Sequence, residues 1–292
     1  MFDEVYGATQ VYLNGSFMRL DEARVSVLDR GFIFGDGIYE VVPVYDARPF
    51  RMAEHLDRLE RSLSALRITP PLDRAGWERL VYALIEFAAQ PHSLVYLQVT
   101  RGVARRDHGF PKQPVPATVF GMTSAFQRPS DTVREHGLRV IGIEDERWLH
   151  CEIKSVSLLG NVLAKQQAVD ADVDDAIQFR DGYLTEASSA NVWAVIDGIL
   201  VAPPRDNLIL EGIRYALMLE LAEEQGIAVQ MRPVARAEVR AASEVLMTSA
   251  TKEVLPVVEL DGLPVGSGQP GPVYLLLRAA YDTRIATLQE AE

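Results

Sequence analysis

Four dipeptides constrain this 292-residue chain more than anything else in it: Asn14-Gly15, Asp181-Gly182, Asp197-Gly198 and Asp261-Gly262. Asn-Gly or Asp-Gly between two apolar, β-branched runs marks a two-residue hairpin turn, because both turn positions need positive φ. Hairpins join antiparallel neighbours, so an all-parallel sheet is excluded. Val11 to Phe17 reads as one hairpin. The stretch from Asp175 to Ala202, with two of the turns inside it, reads as a meander. A strand over Val254 to Leu260 runs into the fourth turn.

Between these corners the periodicity alternates between 2 and 3.6. Further strands are expected at 37–45, 93–100, 117–123, 137–143, 229–233 and 244–248, with Pro43 marking an edge position or a bulge in the first. Helices are expected at 53–66, where Leu56, Leu59, Leu63 and Leu66 share a face, at 72–89 after Pro70-Pro71, and at 157–169, with Leu158, Leu159, Val162 and Leu163 on one side. Others follow at 212–224, 236–242 and 271–289. The polar run Gln127-Arg-Pro-Ser-Asp-Thr132 reads as a linker. The expectation is an α+β protein of two domains, 1–126 and 134–292, joined by 127–133, with mixed or antiparallel sheets and flanking helices.

The formal net charge of -12 argues against nucleic acid and against an anionic membrane surface as partners. A single cysteine, Cys151, excludes an internal disulfide and fits a reducing compartment. The first residues lack the basic and apolar regions of a signal peptide, and no apolar run reaches membrane-spanning length. The expectation is a soluble, cytoplasmic protein.

Seven segments can carry chemistry. Arg30-Gly-Phe-Ile-Phe-Gly-Asp-Gly-Ile-Tyr-Glu40 packs three glycines before a strand, which serves a plain turn as well as a close backbone approach. Arg58 falls off the leucine face of its helix, as a surface arginine or a phosphate anchor would. Arg101 to Pro111 is a loop holding Arg105, Arg106 and His108, either a solvated basic loop or a carboxylate grip. Only Lys112, Lys154, Lys165 and Lys252 are lysines, and Lys154 alone stands in a strongly apolar run, Trp148-Leu-His-Cys-Glu-Ile-Lys-Ser-Val-Ser-Leu-Leu-Gly160. An ammonium there is either paired or a nucleophile towards carbonyls. Thr185-Glu-Ala-Ser-Ser-Ala-Asn-Val192 offers a carboxylate among small hydroxyl residues. Leu210-Glu-Gly-Ile-Arg214 opens a helix whose free N–H groups suit a phosphate. Thr248-Ser-Ala-Thr-Lys-Glu253 ends a strand in hydroxyl residues.

Taken together and in this order, these segments resemble the fold-type IV pyridoxal-phosphate enzymes, the class IV aminotransferases, over nearly the whole chain. The D-amino-acid-specific branch is the most similar. The resemblance rests on Arg30 to Val42, Gln98-Val-Thr-Arg-Gly102, Arg106-Asp-His-Gly-Phe-Pro111, Ile153 to Gly160 with Val162-Leu-Ala-Lys165, and Thr185 to Val192. It implies pyridoxal 5'-phosphate between two domains, with Lys154 as covalent anchor and proton shuttle and Glu186 facing the pyridine nitrogen. It implies that Arg58, the backbone N–H groups of Ile213 and Arg214, and Ser249 with Ala250 bind the phosphate. Leu210 packs on the ring. Tyr39, Arg106 and His108 match the trap for the substrate carboxylate. The implied activity is ping-pong transfer of an amino group from D-alanine or another D-amino acid to 2-oxoglutarate, by a homodimer. No metal is implied. The branched-chain L-amino-acid aminotransferases and the aminodeoxychorismate lyases share the same elements, though the Arg106-Asp-His108 trap counts against both. A non-catalytic binding protein is disfavoured by Lys154 and Glu186 together. This chain departs from the family at Gly212-Ile-Arg-Tyr215, where a hydroxyl is lost, and at Ala250, where Thr is expected.

Overall fold

The computed structural model describes residues 9–88 and 90–290. They form two compact units. The first ends at Gln127 and also contains Ile153–Ser157; the second holds Arg128–Glu152 and the chain from Leu158 onward.

The first unit contains strands β1 (Gln10–Leu13) and β2 (Ser16–Arg19), helix α1 (Arg30–Phe34), strands β3 (Gly37–Tyr45) and β4 (Arg48–Pro49), helices α2 (Met52–Ala65) and α3 (Arg74–Glu86), and strands β5 (Ser93–Thr100) and β6 (Thr118–Ala125). Its sheet runs β2-β1-β6-β5-β3-β4, with every neighbour antiparallel. The Asn14-Gly15 turn forms as expected, with φ of 50 and 96. Asn14 also fixes register, since its Oδ1 accepts from Val119 N at 2.8 Å while its own N–H donates to Val119 O. Leu56, Leu59 and Leu63 of α2 and Trp77, Val81 and Leu84 of α3 bury against Ile38, Val42, Val95, Leu97 and Val99 of the sheet. Pro43 is tolerated because β4 pairs only with Val44 and Tyr45, leaving most of that edge of β3 without a ladder for the missing N–H to break.

The second unit contains helix α4 (Asp131–His136), strand β7 (Leu138–Glu144), helix α5 (Leu159–Asp170), strands β8 (Asp175–Arg180), β9 (Tyr183–Ala187), β10 (Asn191–Ile196) and β11 (Ile199–Ala202), helix α6 (Ile213–Glu224), strand β12 (Val229–Met231), helix α7 (Arg236–Ala241), strands β13 (Glu244–Ser249), β14 (Glu253–Leu260) and β15 (Leu263–Pro264), and helix α8 (Pro272–Glu290). Its sheet is mixed, in the order β12-β11-β10-β13-β14-β7-β8-β9, with β15 on β14. Parallel pairs are β11 with β12, β14 with β7, and β7 with β8.

Four expectations change. The meander over 175–202 is instead two separate hairpins, β8–β9 and β10–β11, with β13, β14 and β7 between them in the strand order. The apolar side of α5 is not turned into the core: Leu159, Val162 and Leu163 are exposed, while the small side chains of Ala164 and Ala168 are buried. The segment Ile153–Ser157, with Lys154, belongs to the first unit rather than to the C-terminal domain. It is irregular and touches β3 through one bridge, Ile38 with Ser155. Tyr39 N donates to Lys154 O at 2.9 Å and Val156 N to Gly37 O at 3.0 Å. These bonds occupy the edge of β3 that β4 does not reach, which is why the lysine segment packs with the first unit although the sequence reading put it in the C-terminal domain. The supposed linker is likewise partly structured: Ser130 caps α4, and Arg128 pairs with Glu253 at 2.7 Å and with Asp282.

Candidate active site

In the first unit, β3 and α2 bring the polar side chains of Glu40, His55, Arg58 and Ser62 into the interior. Glu40 is fully buried on β3, and its carboxylate takes Arg58 Nε at 3.0 Å and Nη2 at 2.6 Å, one bond to each oxygen. His55 Nδ1 stands 2.9 Å from Oε1 of the same carboxylate. Residues 55 and 58 are one helical turn apart, so they meet the same strand residue. Burial pushes the Glu40 pKa up, but Arg58 and then His55 outweigh it and hold the group well below the carboxylate range. Arg58, only 6% exposed, is therefore not the surface arginine that its place off the leucine face suggested.

Lys154 lies near this cluster. Its backbone N–H donates to Ser62 Oγ at 3.3 Å, one turn beyond Arg58 on α2, and its Nζ sits 4.1 Å from the centroid of the Tyr39 ring. Tyr39 in turn stacks on Tyr96 at 5.7 Å. The amine is half-buried over an aromatic face. Lys252, by contrast, pairs with Asp175 at 2.8 Å.

Arg106 and His108 project from the exposed loop after β5. Both lie against Phe34 of α1, with the Arg106 Cζ 5.5 Å and the His108 ring 5.4 Å from its centroid. Among the described residues, no hydrogen bond joins either of them to Tyr39. The three residues read as one trap thus fall in two places, with Tyr39 beside Lys154 and the Arg–His pair on Phe34.

In the second unit, Glu186 on β9 is buried to 6% exposure. Its Oε1 accepts from Arg147, and its Oε2 accepts from Leu210 N at 3.0 Å and from Asn191 Nδ2 at 3.4 Å. Asn191 Nδ2 also donates to Leu210 O at 2.8 Å, so Glu186, Leu210 and Asn191 form one closed polar set. Arg147 is itself gripped by Asp145 through Nε at 2.9 Å and Nη2 at 2.8 Å, and Thr185 Oγ1 donates to Asp145 at 2.8 Å. Burial raises the Asp145 pKa, yet the Arg147 bond wins and holds it at about 2. Glu186 goes the other way: burial wins over Arg147 and the Leu210 N–H, and the pKa rises above the ordinary carboxylate value.

Gly212 precedes α6 without a side-chain cap, so the first N–H groups of a twelve-residue helix, those of Ile213 and Arg214 among them, point out along its axis. A Cβ at Gly212 would stand 2.2 Å from Asn191 Oδ1, so only glycine lets the chain pass that close to the Glu186 set. The Arg214 side chain is 2% exposed and donates from Nε to Tyr281 Oη of α8 at 3.2 Å. At the end of β13, Ser249 Oγ accepts from Lys252 N at 3.0 Å and lies 3.4 Å from Thr251 Oγ1. Thr251 thus groups with Ser249 where Ala250 supplies no hydroxyl.

The residues suit a phosphorylated, cationic heterocycle. A buried carboxylate of raised proton affinity suits a ring nitrogen that shares a proton with it. An uncapped helix start beside a glycine cradle suits a phosphate. Among the described residues, no cluster of His, Cys, Asp and Glu could hold a metal ion, and no helix is long and apolar enough to cross a membrane.

Glu40, His55, Asn191 and Arg147 carry much of this geometry, and the sequence reading assigned none of them a role. Asn191 closes the Thr185-to-Val192 run and was within reach. Arg147 stands among many other arginines and gives no local signal.

The backbone superposes on the branched-chain amino acid aminotransferase of T.th., solved with pyridoxamine 5'-phosphate, with a TM-score of 0.90 and 27% identity over 96% of this chain and 95% of that one. That is the architecture of the fold-type IV enzymes. The family model for amino-transferase class IV matches residues 37–260. D-alanine aminotransferase from Staphylococcus aureus (strain MSSA476) is 38% identical over 276 residues, 94% of this chain and 98% of that protein. Its namesake from Bacillus licheniformis is 37% identical over 94% of this chain and 97% of its own length. The chain belongs to the class IV aminotransferases, and it is a pyridoxal-phosphate-dependent aminotransferase.

Proposed function

We propose that this enzyme takes the amino group of D-alanine or a related D-amino acid and passes it to 2-oxoglutarate in two alternating half-reactions. The observation that carries the D-specific reading is that Arg106 and His108 both pack against Phe34. Two cationic or hydrogen-bonding groups gathered on one aromatic ring fit a carboxylate, and a clamped carboxylate decides which Cα bond is exposed to the base. The relatives at 37% and 38% identity carry the name D-alanine aminotransferase, whereas the branched-chain structure stands at 27%.

Pyridoxal 5'-phosphate, when bound, supplies the electron sink for the pair of electrons released at the substrate Cα. Lys154 Nζ holds the cofactor and then moves the proton off and back onto the substrate. The Glu186 carboxylate keeps the ring nitrogen protonated. Arg58, the N–H groups of Ile213 and Arg214, and the Ser249–Ala250 corner bind the phosphate, and Leu210 packs against the ring. Tyr39, beside Lys154, orients the amine. The working form is a homodimer.

The test is a half-reaction on the holoenzyme. The visible band of the bound cofactor should bleach with D-alanine and barely respond to L-leucine. The reverse preference would reassign the chain to the branched-chain group, and Lys154→Ala should remove the band altogether.

A further inference from the structure

We propose that Arg30 is a positioning residue for the Arg106–His108 pair, holding the loop that presents them, so that it governs affinity for the substrate carboxylate without touching substrate. The proposal rests on the reading of that pair as the carboxylate grip.

Arg30 opens α1 and is 3% exposed. A guanidinium buried to that degree must satisfy its donors inside the protein. Its Nε donates to Asp36 Oδ2 at 2.7 Å. Its Nη1 donates to Asp107 O at 2.6 Å and Gly109 O at 3.2 Å, and Nη2 to His108 O at 3.4 Å. Three consecutive carbonyls of the loop therefore converge on one cation, and the loop bends around it with the Arg106 and His108 side chains outside. Phe34, at the other end of the same short helix, completes the support. Its ring centroid lies 4.8 Å from the Arg30 Cζ and is the surface on which Arg106 and His108 rest.

The anchor is itself anchored. Asp36 also accepts from Arg101 Nε at 2.8 Å and Nη2 at 2.9 Å, and Arg101 donates onward to Leu66 O at 2.8 Å and Arg67 O at 3.2 Å, just past α2. The α1 helix cannot drift, because Asp29 caps it, accepts from Thr118 Oγ1 at 2.6 Å, and Arg30 N donates to Gly102 O. A Cβ at Gly31 would meet Thr100 Cγ2 at 2.2 Å, so the helix lies flush on the end of β5. The loop thus connects through a buried ion pair to the helix that carries Arg58. A lysine at position 30 keeps the charge but lacks the fork that reaches Asp36 and three carbonyls together.

The experiment compares wild type, Arg30→Lys, Arg106→Ala and Arg30→Lys/Arg106→Ala holoenzymes. Bleaching of the cofactor band is measured against D-alanine and against D-alaninol, which has no carboxylate. Trypsin cleavage after the exposed Arg105 and Arg106 reads the order of the loop independently of activity. Arg30→Lys should raise the D-alanine concentration for half-maximal rate by about tenfold, with the saturating rate within about threefold, and should leave D-alaninol unchanged. Cleavage should accelerate by about tenfold, and in the Arg106→Ala background the substitution should add less than about twofold. Equal losses with both substrates, full additivity with Arg106→Ala, or unchanged cleavage with unchanged half-saturation would each overturn the proposal. Should Arg30→Lys fail to fold, Phe34→Leu applies the same measurements from the other end of α1. An Arg106→Ala enzyme with unaltered D-alanine affinity would instead remove the carboxylate reading, while the trypsin rates still decide whether Arg30 holds the loop.

Discussion

Glu40 in the first unit and Glu186 in the second are both buried carboxylates beside an arginine, yet their surroundings push them in opposite directions. Glu40 receives both oxygens' worth of Arg58 plus His55, and it is held as an anion. Glu186 shares its arginine with Asp145, and burial wins. Burial alone does not define what a carboxylate does; the number of charges committed to it does. Glu40 acts as a fixed counter-ion that aims an arginine. Glu186 is left with proton affinity to use.

That contrast can be broken in several ways. Glu40→Gln should destabilise the cofactor-free protein by about 3–5 kcal/mol in urea, because it strands a buried guanidinium. At pH 4, Glu186→Gln should leave unfolding within about 1 kcal/mol of wild type, since Arg147 keeps Asp145, while kcat at its optimum falls by about a hundredfold to a thousandfold. Equal stability losses would dissolve the distinction.

A pH series sharpens it further. The stability that Glu40 contributes is complete above the ordinary carboxylate value of 4.5 and is lost as pH falls towards its depressed folded value. For Glu186 the folded value is raised, so its contribution is complete below 4.5 and is lost as pH rises from there through the raised folded value. Unfolding of wild type and Glu186→Gln between pH 4 and pH 8 should therefore diverge in favour of the variant, by at most about 1.4 kcal/mol per pH unit. Parallel curves would contradict the raised value. The smallest expected effect is that of Arg147→Met, which should move the acidic limb of the kcat profile up by about one pH unit by removing the charge that opposes burial at Glu186.

The elements were largely legible in the sequence, since hairpin dipeptides and leucine spacing report on near neighbours. The α2 helix and the strands β3 and β5 stand within a residue of where alternation and periodicity put them, and α3 falls inside the expected 72–89 but is shorter at both ends. What failed was non-local. Nothing within 175–202 says that β13, β14 and β7 intervene between its hairpins, because strand order is set by pairings formed tens of residues away. The same holds for Lys154, whose segment bonds to a stretch of β3 far away in the sequence. Individual site residues were visible only as a constellation, through resemblance. The partners that tune them, Glu40 and Arg147, are ordinary charged residues whose meaning depends on what folds beside them.

The four hairpin corners have one more consequence, and it concerns chemical ageing. All four place a small glycine after an Asx residue at positive φ, and a Cβ built on any of these glycines would meet nothing within 4 Å beyond its chain neighbours. Three of them carry Asp and have no amide to lose. Asn14 does, and its side-chain oxygen and its backbone N–H both secure Val119. Deamidation to aspartate would keep that acceptor and add a charge. Rearrangement to isoaspartate would insert a carbon into the main chain and pull the first hairpin out of register with β6. Among these four corners the deamidation clock is thus set at the tip of the first turn.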